Sequence, residues 1–439
     1  MISLVRTLAF LSLSCAISLA ILRTVRPRFY LPLSLAPLAG LVALYLAYLH
    51  PALLVVCALA LSLACRSSSP SDPVPAARFP SRTTVVVVAV VFALALSRPW
   101  APIYWDEFVW LAKSRTESLS WGALRAATLR SRSDVIPLGY PPLWPAAVAW
   151  ISLYSRSAAD LVVASSVLTT LCAAALAFAW NACVHTDWQL RGKGHPWLEA
   201  LPWLALAATP IVLVHLRSAY VDLPVGLLAA ATALHLSLAL DAEPAAARAH
   251  VAHAMTLAFL CAGAKDEGLF HVVAVVLAAL GLRSRGRARF APSLAVLAAA
   301  LVPVVAWRAL LLAHGARNPD HTIEAAAFPA VPALIVHLAR HAMDLHTWGL
   351  LVPAVALSIV GGLRRSSTSL ALTARALPIQ LAALLAGLAL GPERLRVFVE
   401  QGTVLDRALI QLAPMGAVSI VSLALFAGRQ PDAAVHGAR

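Results

Sequence analysis

Carboxylates are scarce in this chain. Asp and Glu together number 20 in 439 residues, and all charged residues make up 12%. A soluble domain carries about 25% charged residues, so a water-bathed globular fold is excluded. The six cysteines, at 15, 57, 65, 172, 183 and 261, form no CxxC pair. They sit in or at the ends of apolar runs, so no disulfide or cysteine-zinc framework follows from them. No internal repeat is visible, and no soluble domain follows the last apolar run. The start, "MISLVRTLAFLSLSCAISLAIL", lacks a clean small-x-small cleavage site, so it reads as a retained first helix rather than a removed signal.

What fills the chain is apolar: 61% of residues are hydrophobic and mean hydropathy is +0.81. Apolar segments fall near 3–22, 31–49, 51–65, 83–98, 140–155, 159–183, 197–216, 220–240, 250–264, 269–282, 290–313, 348–363, 375–391 and 403–427. Many approach the roughly 20 residues that span a bilayer, and only helix satisfies the backbone internally there without closing a barrel. The expected fold is all-α, a polytopic integral membrane protein with about 13 transmembrane helices. Residues 1–82 read as extra N-terminal helices with a cytoplasmic linker, 83–427 as the main domain, and 428–439 as a short polar tail.

The net charge of +14 gathers in "RTVRPR" (23–28), "RGKGH" (191–195), "RSRGRAR" (283–289) and "RR" (364–365). Basic clusters between apolar segments mark cytoplasmic loops, and without a folded basic domain they exclude a nucleic-acid binder. Placing "RSRGRAR" and the Pro/Ser-rich linker 66–82 inside puts "YWDE" (104–107), "RSAYVD" (217–222) and "KDEG" (265–268) at the outer face together. Parity then leaves no room for 140–155 as a full span, and suits a re-entrant segment. The first outer loop carries Lys113, Arg115, Arg125, Arg130 and Arg132 against the inside bias, which asks for a specific reason.

Several stretches break the apolar pattern. "PIYWDEFVWLAKSR" (102–115) begins a short helix. Its plainest reading is that Asp106 caps it and Glu107 sits in the first turn. "SWGALRAATLR" (120–130) suits an interfacial helix, and "GYPPLWP" (139–145), with Tyr140, is a rigid lead-in to the next helix. "RSAYVDLPVG" (217–226) places Arg217 and Asp222 at a break, where the plain reading is an ion pair at a helix end. "AGAKDEGLF" (262–270) interrupts apolar sequence with Lys265, Asp266 and Glu267, and ionisable groups near membrane depth usually line a polar cavity. "TVLDRALIQLAP" (403–414) starts the last helix with Asp406 and Arg407. The loop 314–346 holds five of the 14 histidines, with His337 and His341 one turn apart. That spacing suits a metal, but an amphipathic surface helix is the simpler expectation, and no structural zinc is expected there.

The order of these stretches resembles the C-type, polyprenyl-phosphate-sugar-dependent membrane glycosyltransferases, in particular their family 39-like bacterial branch. Asp106–Glu107, "YPPLWP", Asp222, "KDEG" and "LDRALIQLAP" carry the resemblance, which covers roughly 83–427. No Trp-Trp-Asp motif is present, which argues against protein N-glycosylation. The resemblance implies an inverting enzyme of the bacterial plasma membrane with its site at the outer face. Asp106 would be the general base. Glu107 and Asp222 would orient hydroxyls or help bind a metal. Lys265 and Arg407 would hold donor phosphate, with Arg217 a weaker candidate, and Tyr140 and Glu267 would contact substrate. The implied partners are a polyprenyl-phosphate-linked sugar, a lipid, glycan or protein acceptor, and the bilayer. No cofactor is implied beyond the open question of a divalent metal. A multi-pass transporter or lipid flippase is the alternative, since it also uses intramembrane charges and broken helices.

Overall fold

The computed structural model describes residues 36–50, 52–53, 84–90, 105–130, 140–189, 196–216, 218–282, 290–316, 328–363, 368–391, 397–398, 401 and 404–427. Among them every regular element is helical and there is no strand. Among the described residues, four helices are long and apolar enough to cross a membrane: Ala158–Thr186, Asp222–Asp241, Phe290–Ala313 and Ala371–Ala389. Shorter apolar helices cover Pro37–Leu49, Leu351–Val360 and Ala413–Leu423. The segments 3–22 and most of 51–65 lie outside the described residues, and 83–98 is described over 84–90 alone.

The Asp222–Asp241 helix is the axis of the bundle. Every residue from Asp222 to Ala239 is buried. Around it pack the Ala158–Gln189, Pro244–Ala264, Asp266–Leu280, Thr368–Ala389 and Ala413–Ala427 helices. An all-round apolar sequence is what a helix needs to be enclosed on every side. The Phe290–Ala313 helix lies at the rim instead. Its exposed Phe290, Leu294, Leu301, Val305 and Leu312 recur at helical spacing as one stripe. Val296, Ala300, Trp307 and Leu311 line the buried side. An exposed stripe of that kind fits lipid, not water.

The helix in the 140–155 segment is too short to cross a bilayer by itself. This helix, Leu143–Ile151, is nine residues and wholly buried, about 14 Å at 1.5 Å per residue against a hydrocarbon core of roughly 30 Å. Leu153 and Tyr154, both at positive φ, reverse the chain after it. Two other segments are broken where one helix was expected. The 197–216 run divides into Pro196–Ala207 and Pro210–His215, and the final run divides into Leu405–Ile410 and Ala413–Ala427. A proline near the start of each later piece supplies no N–H to continue the earlier one.

The two ends of the bundle are chemically distinct. Cys183 approaches the Leu234 carbonyl, so the Ala158–Gln189 helix runs parallel to the axis helix. At the Asp241 end, Glu199 meets His185 at 3.3 Å and the Thr84 hydroxyl at 3.4 Å. The Asp222 end holds most of the buried charge described below.

Two glycines set how closely the backbones approach there. At Gly268 an added Cβ would stand 2.0 Å from the Cys261 carbonyl oxygen, and at Gly226 one would stand 2.4 Å from the Gln411 carbonyl oxygen. Residues 261 and 268 would be about 10 Å apart in one continuous helix, so the chain doubles back at Lys265. Gly268→Ala is expected to destabilise by at least the ~1–3 kcal/mol typical of overpacking, because backbone cannot give way as a side chain does. Gly387→Ala, with open space around it, should be neutral or stabilising, since Ala is the better helix former. Unfolding midpoints in one detergent compare the two.

Candidate functional site

Asp222 is the hub. It opens the axis helix and is completely buried. Lys265 Nζ donates to its Oδ1 at 2.7 Å, Gln411 Nε2 donates to the same oxygen at 2.6 Å, and Arg407 Nε approaches Oδ2 at 3.4 Å. Lys265 is the single extended residue between two helices, closing Pro244–Ala264 and opening Asp266–Leu280. That break points its side chain at Asp222, where an ammonium this deeply buried needs a carboxylate partner. Lys265 also meets Glu267 at 3.0 Å.

Gln411 was not foreseen from the sequence. It sits in the break between Leu405–Ile410 and Ala413–Ala427, held close by Gly226. Its Nε2 faces a carboxylate, so its Oε1 is left for His271 Nε2 at 2.7 Å, which requires the Nε2–H tautomer of that imidazole. The "QLAP" that follows "LDRALI" was the available signal, because a buried amide beside a helix break needs partners. Asp266 turns to the other side and pairs with Arg308 at 2.6 Å.

The mouth of the cluster is partly open. The side chains of Arg407, Glu267 and Arg308 are 21, 25 and 31% exposed, against 3% for Lys265 and none for Asp222. Tyr140 lies within 5.4 Å of the Lys113 ammonium and 5.8 Å of that of Lys265, measured to its ring centre. Arg407 lies 5.0 Å from the ring of Tyr220. Aromatic faces stabilise cations at such distances. The Oε2 of Glu267 is buried and has no hydrogen-bond partner among the described residues.

The loop helix Trp105–Glu117 brings the acidic pair to this place. Glu107, Trp110, Leu111, Ser114 and Glu117 are its buried face, spaced as one side of a helix. Glu107 is fully buried, and its Oε1 accepts the Ala219 N–H at 2.7 Å. Glu107 therefore fastens the loop helix to the residues just before Asp222. The backbone of Asp106 is helical there, but its side chain lies outside the described residues, as does Arg217. Of the residues singled out in the sequence, Asp222, Lys265, Glu267, Arg407 and Tyr140 stand together, with Glu107 one short segment away.

Two of the loop's five basic residues, Lys113 and Arg125, have structural reasons. Lys113 is buried against Trp110, 4.9 Å from its ring centre, and Tyr140. Arg125 donates to the carbonyls of Tyr48 and Leu49, closing the C-terminal end of the Ala36–Leu49 helix, where a cation is favoured. Glu117 accepts from Gly122 N at 2.8 Å, Leu124 N at 3.0 Å and Tyr48 Oη at 3.1 Å. Burial pushes its carboxyl above the usual range despite those donors. Trp121, in the stretch read as an interfacial helix, stacks on Trp150 at 4.9 Å and is half-exposed. The expected surface helix is present as Val331–Ala342, exposing Ile335 and Val336 and burying Leu334. Its His341 reaches Asp406 at 3.0 Å, beside Arg407.

No protein-family model, no curated protein and no solved structure matches this chain.

Proposed function

We propose that the chain is an inverting glycosyltransferase that moves a sugar from a polyprenyl-phosphate donor to an acceptor at the outer face of a bacterial plasma membrane. What carries this reading is one juxtaposition. Glu107 ties the acidic loop helix to Ala219, three residues before the Asp222 carboxylate that holds Lys265 and Arg407. A carboxylate-bearing segment and buried cations thus meet at one end of an apolar bundle.

The chemistry needs both. A lipid-phosphate leaving group is anionic and is stabilised by Arg or Lys in a water-poor site. Arg407, partly exposed, meets the phosphate first, and Lys265 supports it from below. Asp222 acts as a positioning residue, since it is fully buried and both its oxygens face Lys265, Gln411 or Arg407. The unpartnered Oε2 of Glu267 suits a sugar hydroxyl. Asp106 takes the acceptor proton as the hydroxyl attacks the anomeric carbon from the face opposite the leaving phosphate. Attack from that face in a single displacement inverts the centre. The donor's tail stays in lipid throughout, which fits a site at the end of membrane-length helices.

The test is transfer in proteoliposomes from a panel of radiolabelled polyprenyl-phosphate sugars. Label should pass from donor to an acceptor lipid or glycan fraction, and Arg407→Gln should weaken donor use far more than it lowers the unfolding midpoint. Movement of intact donor across the bilayer without loss of its sugar would establish the flippase instead.

A further inference from the structure

We propose that His235, His250 and His253 form a site for a divalent transition metal of the zinc class, at the end of the bundle away from Asp222. The three side chains offer ligand nitrogens that all lie within 4.8 Å of one another. His235 comes from the axis helix, and His250 and His253 from the Pro244–Ala264 helix that returns beside it after the turn at Ala242–Glu243. His235 and His250 stand equally far from that turn, so they face each other across the hairpin. His250 and His253 are three apart and share one helix face.

The spacing is already close to a ligand set. The Nδ1 atoms of His235 and His250 are 3.2 Å apart. Two nitrogens each about 2.0–2.1 Å from one tetrahedral zinc are separated by roughly 3.3 Å. His253 packs its ring edge-to-face on both others, with centroids 4.9 Å from His235 and 6.2 Å from His250. The remaining closure is of side-chain rotamer scale.

Ring packing alone leaves a cost that a metal reduces. His235 and His253 are 3 and 5% exposed. Among the described residues, the Nε2 of His235 and both ring nitrogens of His253 are buried without a hydrogen-bond partner, an unusual concentration of orphaned polar atoms. Each ring offers one nitrogen to an ion, so an ion held through Nδ1 of His235 and of His250 gives one of the two orphaned His253 nitrogens a partner. Imidazole-only donors select zinc, copper or nickel over magnesium and calcium, which prefer oxygen. Three histidines leave a fourth position for water or another ligand.

The site is separate from the proposed transferase centre. His235 lies thirteen residues beyond Asp222 in the same helix, about 20 Å at 1.5 Å per residue. A metal there would pin the hairpin formed by the axis helix and its neighbour, and so the frame that carries both Asp222 and Lys265. The proposal stands whether or not the chain transfers sugar.

Full-length protein in detergent, stripped with chelator and titrated with Zn²⁺ or Co²⁺, tests it. The expected result is one equivalent bound, a Co²⁺ visible spectrum typical of four-coordination, and a zinc-dependent rise in unfolding midpoint that Mg²⁺ does not reproduce. Binding should be lost in His250→Gln, the partly exposed member, and kept in His337→Gln/His341→Gln, which removes the surface pair. No stoichiometric binding by the native chain overturns the proposal, as does binding kept in His250→Gln or lost in the surface double variant. Should His250→Gln fail to fold, zinc-edge X-ray absorption on the native chain decides. A shell with three imidazoles supports the triad, and an oxygen- or sulfur-dominated shell overturns it.

Discussion

Asp222→Ala is expected to lower the unfolding midpoint of the detergent-solubilised protein more than any other single substitution in the polar cluster. The carboxylate is fully buried and receives Lys265, Gln411 and Arg407. Removing it leaves the Lys265 ammonium, 2% exposed, with Glu267 as its remaining carboxylate contact among the described residues, and takes from Gln411 the acceptor of its amide. Breaking a buried pair by deleting one partner costs about 3–5 kcal/mol, because the other charge stays behind unpaired. Deleting both is a different experiment. Asp222→Ala/Lys265→Met removes the pair, and the double variant should lie well above the sum of the two single losses. Strict additivity of the two, or a loss within about 1 kcal/mol for Asp222→Ala alone, would show that the pair is hydrated and weak. That result would also remove Asp222 as the residue that positions the cations.

How far this cluster could be read in the sequence depends on the kind of signal. Lys265, Asp266 and Glu267 stood out because charge inside apolar sequence is costly and needs a reason. Asp222 and Arg407 stood out the same way, and their meeting follows from both lying at one end of the apolar runs. The end of the Phe290–Ala313 helix was equally legible, since an apolar run bounded by basic and polar residues has clear limits. Gln411 and His271 were not legible. A glutamine and a histidine carry no charge pattern, and their contact depends on the break at 411–412 and on Gly226 admitting that backbone. The division of the last segment into two helices was missed for a related reason. "LDRALIQLAP" has helical periodicity up to its proline, and Pro414, which has no N–H to give, acts there together with the tertiary pull of Asp222 on Gln411. The His235, His250 and His253 cluster was hidden by distance along the chain. Histidine spacing in the 314–346 loop drew attention instead, whereas the triad needs a hairpin to bring position 235 to 250. Arg125 was read as an oddity of charge placement, and it proves to cap a helix 76 residues earlier at Leu49.

The acidic pair that opens the loop helix should divide when each member is replaced. Glu107 is buried and spends Oε1 on the Ala219 N–H. Glu107→Ala leaves that donor unsatisfied, at a cost of about 1–3 kcal/mol. It should loosen the loop from the segment leading to Asp222, seen as a lower unfolding midpoint and faster proteolysis between 105 and 130. Glu107→Gln keeps an acceptor for Ala219 and should recover most of that stability. Asp106 sits at the second position of the same helix. A carboxylate there is favoured by the N-terminal end of the helix dipole. Asp106→Asn preserves the size and polarity of the side chain in the first turn. It removes only the proton acceptor. The midpoint should therefore stay where it is, while transfer from the polyprenyl-phosphate donor falls by roughly a hundredfold or more. The two results separate a fastening carboxylate from a reacting one within adjacent residues. Full transfer by well-folded Asp106→Asn protein would leave the first-turn pair as helix cap and clamp alone. The proton would then have to go to another carboxylate at the mouth, of which Glu267, with its unpartnered oxygen, is the next to replace.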